Sequence, residues 1–127
     1  EHSMKYSEQI IDSEIIMFTI QLIQNHYYSF QPDIIEIWMT SILNICRHAH
    51  QEQVKKLIDQ GVIRYVGTKL RTSCELSLNI INILLTIDRS CHKRIQDLIG
   101  DKIQKLSKSS SNTEEEKQIA RNILQTF

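Results

Sequence analysis

Glycine and proline are scarce in this 127-residue chain, which contains only Gly61, Gly67, Gly100 and Pro32. A fold of many short strands joined by glycine and proline turns is therefore disfavoured, whereas long helices meet few residues that would break them. The three glycines form no phosphate-binding loop, no dinucleotide fingerprint and no nucleophile elbow. We therefore expect neither an enzyme nor a bound cofactor.

Cysteine is also rare, and the chain has only Cys46, Cys74 and Cys91. An odd number without regular spacing argues against a disulfide framework and indicates a reducing, intracellular and cytoplasmic setting. No apolar run reaches the roughly 18–20 residues that span a bilayer, and no signal peptide is visible. Residues 1–3, which precede Met4, are interpreted as a cloning remnant.

The formal net charge is zero, but the balance of charge changes along the chain. Residues 1–46 hold six acidic residues and one basic residue, whereas residues 47–108 hold twelve basic and six acidic ones. The basic region could attract an acidic partner, although its bases alternate with acids as on ordinary solvated helix faces. Binding of nucleic acid is kept as a minor alternative through Lys55, Lys56, Arg64, Lys69, Arg71, Lys93, Arg94, Lys102 and Lys105.

Apolar residues recur at intervals of three and four almost throughout, which predicts helices. We predict helices at residues 7–26, 33–48, 50–60, 62–71, 73–88, 91–99, 101–108 and 113–126. The first of these is expected to break near Asp12 and Ser13, and Pro32 closes the loop that follows it. A polar loop is expected at residues 109–112. Gly61 and Gly100 are predicted to end the helices that precede them, because glycine accepts a positive φ.

Three of the predicted helices contain related segments. They are Ile42-Leu43-Asn44-Ile45, Ile80-Ile81-Asn82-Ile83-Leu84 and Ala120-Arg121-Asn122-Ile123-Leu124, with asparagines 38 and 40 residues apart. Each of these helices also opens on a capping pattern, in which an N-cap oxygen is followed three residues later by a glutamate. The pairs are Asp33 with Glu36, Thr72 with Glu75, and Thr113 with Glu116. Coincident caps and asparagines indicate an internal repeat of about 40 residues.

A period of this length falls in the range of HEAT and armadillo repeats, and residues 51–88 resemble one whole armadillo repeat. The similar features are a short helix, a kink at Gly61, a second helix and a long third helix ending in Asn-Ile-Leu. The resemblance implies an all-α, right-handed α-solenoid of about three helix triplets. Its repeats would cover residues 4–48, 49–89 and 90–127 of a single domain at residues 4–127.

The resemblance also implies that the third helices line a concave groove. In peptide-binding armadillo proteins, asparagines on these helices bind the backbone of an extended ligand, and Asn44, Asn82 and Asn122 match that position. Those proteins also carry a tryptophan one turn earlier, where this chain has Thr40, Leu78 and Gln118. Trp38 lies two residues out of register. A lysine-clamping groove of the importin-α kind is therefore not expected.

Helical periodicity places a polar stripe on the third helices without any reference to a family. On the helix from residue 73 the polar positions fall on one face, whereas Leu76, Ile80, Ile83, Leu84 and Ile87 form the opposite, core-facing side. The candidate partner-binding residues are Asn44, Asn82, Asn122, Ser41, His48, Asn79, Thr86 and Glu75. An asparagine both donates and accepts hydrogen bonds, so it can pair with a partner's backbone. The alternative is that these asparagines cap or bridge neighbouring loops.

Two other groups of residues suggest sites. Cys46 and His50 lie four apart, and Cys91 with His92 could complete a zinc-ligand set, but the spacing matches no zinc signature. We therefore expect no metal site.

The aromatic residues Tyr27, Tyr28 and Phe30 are expected either to plug the N-terminal end of the core or to anchor a partner.

The first functional hypothesis is a protein–protein interaction scaffold that binds a peptide or helix of an unidentified partner along the third helices. The alternative is a structural or oligomerisation domain of a larger protein. A stack of two or three repeats exposes apolar ends. We therefore expect either that the chain is a fragment of a longer protein or that its end faces form a homodimer. Whether the polar stripe is open or covered discriminates between the two hypotheses.

Overall fold

The computed structural model describes residues 2–25 and 32–127, with the side chains of residues 6–25 and 32–127. Eight α-helices lie in these described residues, and no strand occurs among them, so the all-α prediction is confirmed. The helices are α1 (His2–Asp12), α2 (Ile15–Asn25), α3 (Pro32–Arg47), α4 (Gln51–Asp59), α5 (Val62–Thr68), α6 (Cys74–Ile87), α7 (His92–Lys108) and α8 (Glu114–Thr126). None of them is both long enough and apolar enough to cross a bilayer.

Two of the predicted helix breaks are confirmed. The chain turns between α1 and α2 at Ser13 and Glu14, where Glu14 has a φ of 63° and the Ser13 hydroxyl donates to the Ile10 carbonyl at 2.8 Å. Gly61 separates α4 from α5 with a φ of 96°, a conformation in which any side chain would be strained. The sequence therefore locates both breaks because each depends on local backbone chemistry.

The predicted break at Gly100 is wrong, because α7 runs without interruption from His92 to Lys108. Gly100 lies inside this helix and does not adopt a positive φ. Ile95, Ile99, Ile103 and Leu106 are all buried, and their spacing of four, four and three residues keeps them on one helical face. Burial of this continuous stripe outweighs the low helix propensity of a single glycine.

Only one of the three predicted capping boxes is present as predicted. The hydroxyl of Thr113 accepts from the amide of Glu116 at 3.1 Å, and the Glu116 carboxylate accepts from the amide of Thr113 at 3.0 Å. The cap at Thr72 is wrong, because α6 begins one residue later than that pattern requires and its N-cap is Ser73. The cap at Asp33 is also wrong, since α3 begins at Pro32, whose fixed φ suits a first helical position.

Among the first six helices, those three places apart in the chain contact each other. The contacts are α1 with α4, α2 with α5 and α3 with α6. Further along, α5 contacts α7, and α8 contacts both α6 and α7. The buried Gln60 side chain strengthens the first of these contacts by donating to the Ile11 carbonyl at 2.6 Å.

One hydrophobic core extends from α1 to α8. Its largest fully buried side chains include Ile11, Met39, Leu57, Ile63, Leu78, Ile80, Ile81, Leu84, Ile95, Ile103 and Ile123. Of the five residues predicted for the core face of α6, Ile80 and Leu84 are fully buried. The other three, Leu76, Ile83 and Ile87, are partly buried and pack against the core. The core therefore fixes which face of α6 is turned outward.

Candidate functional site

The polar stripe predicted on the third helices is open to solvent. Asn44, Asn82 and Asn122 are all exposed and lie on α3, α6 and α8. The other predicted members, Ser41, His48, Glu75 and Thr86, are exposed as well, and Asn79 is half-buried. Because α6 contacts both α3 and α8, the three asparagines lie on neighbouring helices. We call the eight residues the polar stripe.

The asparagine side chains form only short-range hydrogen bonds. The Asn44 amide oxygen accepts from the guanidinium of Arg47 at 3.2 Å, and that of Asn122 accepts from the side-chain amide of Gln118 at 2.9 Å. Each donor lies on the same helix as its asparagine and is exposed to solvent. Pairs of this kind contribute little to stability. No hydrogen bond joins the Asn82 side chain to another described residue. Within the part of the chain that the structure describes, the asparagines therefore neither cap nor bridge a neighbouring loop, and all three are exposed to solvent.

An acidic cleft lies across the three helices that carry the polar stripe. Its volume is about 420 Å³, and α3, α6 and α8 each contribute to its lining. Its lining residues are Glu36, Thr40, Thr72, Ser73, Cys74, Glu75, Leu76, Asn79 and Glu116. Three carboxylates and no basic side chain appear in this set, so the cleft has an electrostatic preference for a cation.

Two of the acidic residues that line this cleft are not among the candidate site residues predicted from the sequence. Glu36 and Glu116 were interpreted as capping residues, and Glu116 does cap α8 through Thr113. The convergence of Glu36, Glu75 and Glu116 depends on how three helices pack. The sequence feature that could have linked the three glutamates is the predicted capping pattern, in which all of them occupy the same position.

The Cys74 thiol at the start of α6 is not an activated nucleophile. Burial, together with the nearby carboxylate of Glu116, raises its pKa to about 11. A thiol with such a pKa stays protonated at neutral pH, whereas catalysis requires the thiolate. The acidic cleft therefore offers hydrogen-bond acceptors and negative charge, but no nucleophile at this position.

The tryptophan positions of peptide-binding armadillo proteins are filled differently here. Thr40 and Gln118 are exposed, whereas Leu78 is fully buried in the core. Trp38 packs edge-on against Tyr65 with ring centroids 5.1 Å apart, so it joins α3 to α5. This surface thus presents asparagine amides and carboxylates, without the aromatic walls of a lysine clamp.

The residues considered as metal ligands are not brought together. Cys46 is fully buried, which raises the pKa of its thiol to about 12, whereas His48 and His50 are exposed. Within the described residues, no group of three or more histidine, cysteine, aspartate or glutamate side chains has the arrangement of a metal site. The aromatic residues Tyr27, Tyr28 and Phe30 lie outside the described residues.

A second surface lies at the N-terminal end of the chain. In the described residues, all the large exposed hydrophobic side chains are on α1, α2 and α3: Tyr6, Ile15, Phe18, Leu22, Ile34 and Ile37. Ile15, Phe18 and Leu22 follow helical spacing and so share one face of α2. At the other end, α8 exposes mainly polar residues. We call this exposed apolar face of α2 the apolar end face.

Comparison of the chain with protein-family models, with curated proteins and with solved structures finds no match. The function is therefore argued from the two surfaces and their chemistry.

Proposed function

We propose that this protein is an armadillo-like helical-repeat scaffold that binds an extended segment of a partner protein along α3, α6 and α8. The contacts between counterpart helices support the repeat, since α1, α2 and α3 each contact the helix that takes the same place in the next triplet. The exposed polar stripe supports the binding role, because it spans three neighbouring helices. A helix that served only to fill the core would not present a polar face of this extent to solvent.

The partner segment carries lysine or arginine. The observation that supports this is the acidic cleft, in which Glu36, Glu75 and Glu116 line one concavity together with Asn79. Charged groups of opposite sign accelerate association and select among partners, whereas the asparagine amides can hold the backbone of any sequence. We therefore assign backbone binding to the asparagines and selection of positive side chains to the cleft.

Removal of two stripe amides is expected to weaken partner binding without weakening the fold. Peptides selected from a random library on the immobilised protein should be enriched in lysine and arginine. For these peptides, Asn44→Ala combined with Asn82→Ala should raise Kd about tenfold, because each lost hydrogen bond is worth about 0.5–1.5 kcal/mol. Fluorescence anisotropy measures Kd, and thermal unfolding should show an unchanged midpoint.

The matched control is Asn25→Ala, which removes an exposed asparagine at the end of α2 and should leave Kd unchanged. Equal affinities of the double variant and the unmodified protein would contradict a role for the stripe. Selected peptides without any preference for basic residues would contradict the role of the cleft.

A second candidate function, oligomerisation, is favoured by the apolar end face. Exposed apolar patches of this kind commonly mark sites of protein association. The protein should then form dimers at high concentration in sedimentation experiments, and Phe18→Glu should give a monomer. Residues 6–46 contain acids but no base, so added salt should strengthen such dimers by screening their repulsion.

The control for this substitution is Gln125→Glu, which adds the same charge to the exposed polar surface of α8. A protein that remains monomeric at all concentrations would contradict oligomerisation. It would leave the partner-binding proposal intact, because Phe18 is on α2 whereas the polar stripe is on α3, α6 and α8.

A further inference from the structure

A cleft between α5, α7 and the loop before α8 collects positive charge. Its volume is about 680 Å³, and its polar lining is formed by Arg71, Lys102, Lys105, Ser109, Ser111 and Asn112. Leu70 and Leu106 are buried beneath it, and Gly67 lies at its edge. We call it the basic cleft, and it is distinct from the acidic cleft on the third helices.

Tertiary packing creates this convergence of charge. Lys102 and Lys105 are three residues apart, so both project from the same side of α7. Arg71 follows α5, and that helix passes so close to α7 that a β-carbon added at Gly67 would lie 2.7 Å from Cγ2 of Ile99. The close approach at Gly67 therefore brings the arginine toward the two lysines.

The three cations form no ion pair within the described residues. The ion pairs found there use other bases, namely Lys56, Arg94, Lys117 and Arg121. No carboxylate lines the basic cleft, although Asp101 precedes Lys102 on α7. Like charges held close together repel one another, so an anion that enters this cleft gains from all three.

We propose that the basic cleft binds a phosphate monoester group. A guanidinium offers paired donors that match phosphate oxygens, and two ammonium groups add point charges. The hydroxyls of Ser109 and Ser111 are hydrogen-bonded to each other at 2.8 Å, which leaves one of the two free to donate, and the Asn112 amide adds further donors. A phosphate monoester carries about 1.5–2 negative charges at neutral pH. It therefore matches the three cations better than a singly charged carboxylate would.

The same features argue against a nucleic-acid strand as the ligand. The lining has no aromatic side chain on which a base could stack. Two of the other bases already have acidic partners, since Lys56 pairs with Asp12 and Arg94 pairs with Asp59. The nine bases singled out in the sequence are therefore not all in one place. Arg71, Lys102 and Lys105 line the basic cleft, whereas Arg64 and Arg94 line a separate pocket together with Asp59 and Asp97.

Titration of the folded, isotope-labelled protein with inorganic phosphate and with O-phosphoserine tests the proposal. Amide signals of Ser109, Ser111 and Asn112 and the Nε signal of Arg71 should shift and saturate, while unphosphorylated serine should have no effect. Lys102→Gln combined with Lys105→Gln should weaken binding at least tenfold. The matched control, Lys55→Gln combined with Lys93→Gln, removes the same charge from exposed positions outside the cleft and should retain affinity.

A phosphoserine peptide distinguishes the two sources of such a group. Tighter binding of the peptide than of O-phosphoserine would identify a phosphorylated protein segment as the ligand, and equal binding would identify a small phosphate ester. Both results support the proposal. It is overturned if phosphate and O-phosphoserine cause no saturable shifts. It is also overturned if both lysine variants lose affinity equally, or if only single-stranded RNA binds.

Discussion

Ile81→Ala is expected to lower the free energy of unfolding by about 2–5 kcal/mol. Ile81 is fully buried on α6, the helix that contacts α3, α4, α5 and α8. Truncation removes apolar contacts and leaves a cavity that surrounding helices cannot easily fill, since they are themselves packed against several neighbours. Urea denaturation followed by circular dichroism measures the change.

Ile37→Ala is the matched control, because it makes the same substitution on α3 at a side chain that is 67% exposed. In dilute protein it should change stability by less than about 0.5 kcal/mol. Equal effects at the two positions would contradict the assignment of the core face of α6. That result would also remove the basis for placing the polar stripe outside.

Gly67→Ala should destabilise the protein by about 1–3 kcal/mol, although alanine is the better helix former. The reason is the contact between α5 and α7, where an added β-carbon would lie 2.7 Å from Cγ2 of the buried Ile99. Helix propensity alone predicts the opposite sign. Thermal and urea unfolding of the variant therefore decide which effect dominates.

A double-mutant cycle tests the cause of this expected loss. In the background of Ile99→Ala, which removes the Cγ2 atom, Gly67→Ala should no longer destabilise, giving a coupling energy of about 1–3 kcal/mol. Gly100→Ala serves as control, since its β-carbon would meet only the flexible Gln96 side chain at 3.2 Å. It should stabilise by about 0.5–1 kcal/mol. Additive effects at Gly67 and Ile99 would contradict the close approach of the two helices.

Most of the helices could be predicted from the sequence because the apolar spacing that defines them is local, although α1 begins earlier than predicted and α7 is not divided. The turns at Ser13 and Gly61 were predicted for the same reason. Gly100 was misinterpreted because glycine permits a break without requiring one, and the four isoleucine and leucine residues around it favour a continuous helix. Capping patterns at Asp33 and Thr72 failed because a residue pattern does not fix where a helix begins.

The candidate site was predictable only in part. Exposure of Asn44, Asn82 and Asn122 followed from helical periodicity, since the opposite face of each helix was apolar. The acidic cleft and the basic cleft were not predicted, because each joins residues from separate helices. The basic cleft in particular depends on the packing of Gly67 against Ile99, which no local pattern in the sequence reveals.

Binding along the third helices is tested most directly by the side-chain amide signals of the asparagines in a ¹⁵N-labelled protein. A basic peptide selected on the protein is added, and the signals of Asn44, Asn79, Asn82 and Asn122 are followed. If the polar stripe holds the peptide backbone, these signals shift together and saturate at the Kd found by anisotropy, while that of Asn25 stays in place. Saturable shifts confined to residues of α2 or α7, with the four asparagine signals unmoved, would contradict it.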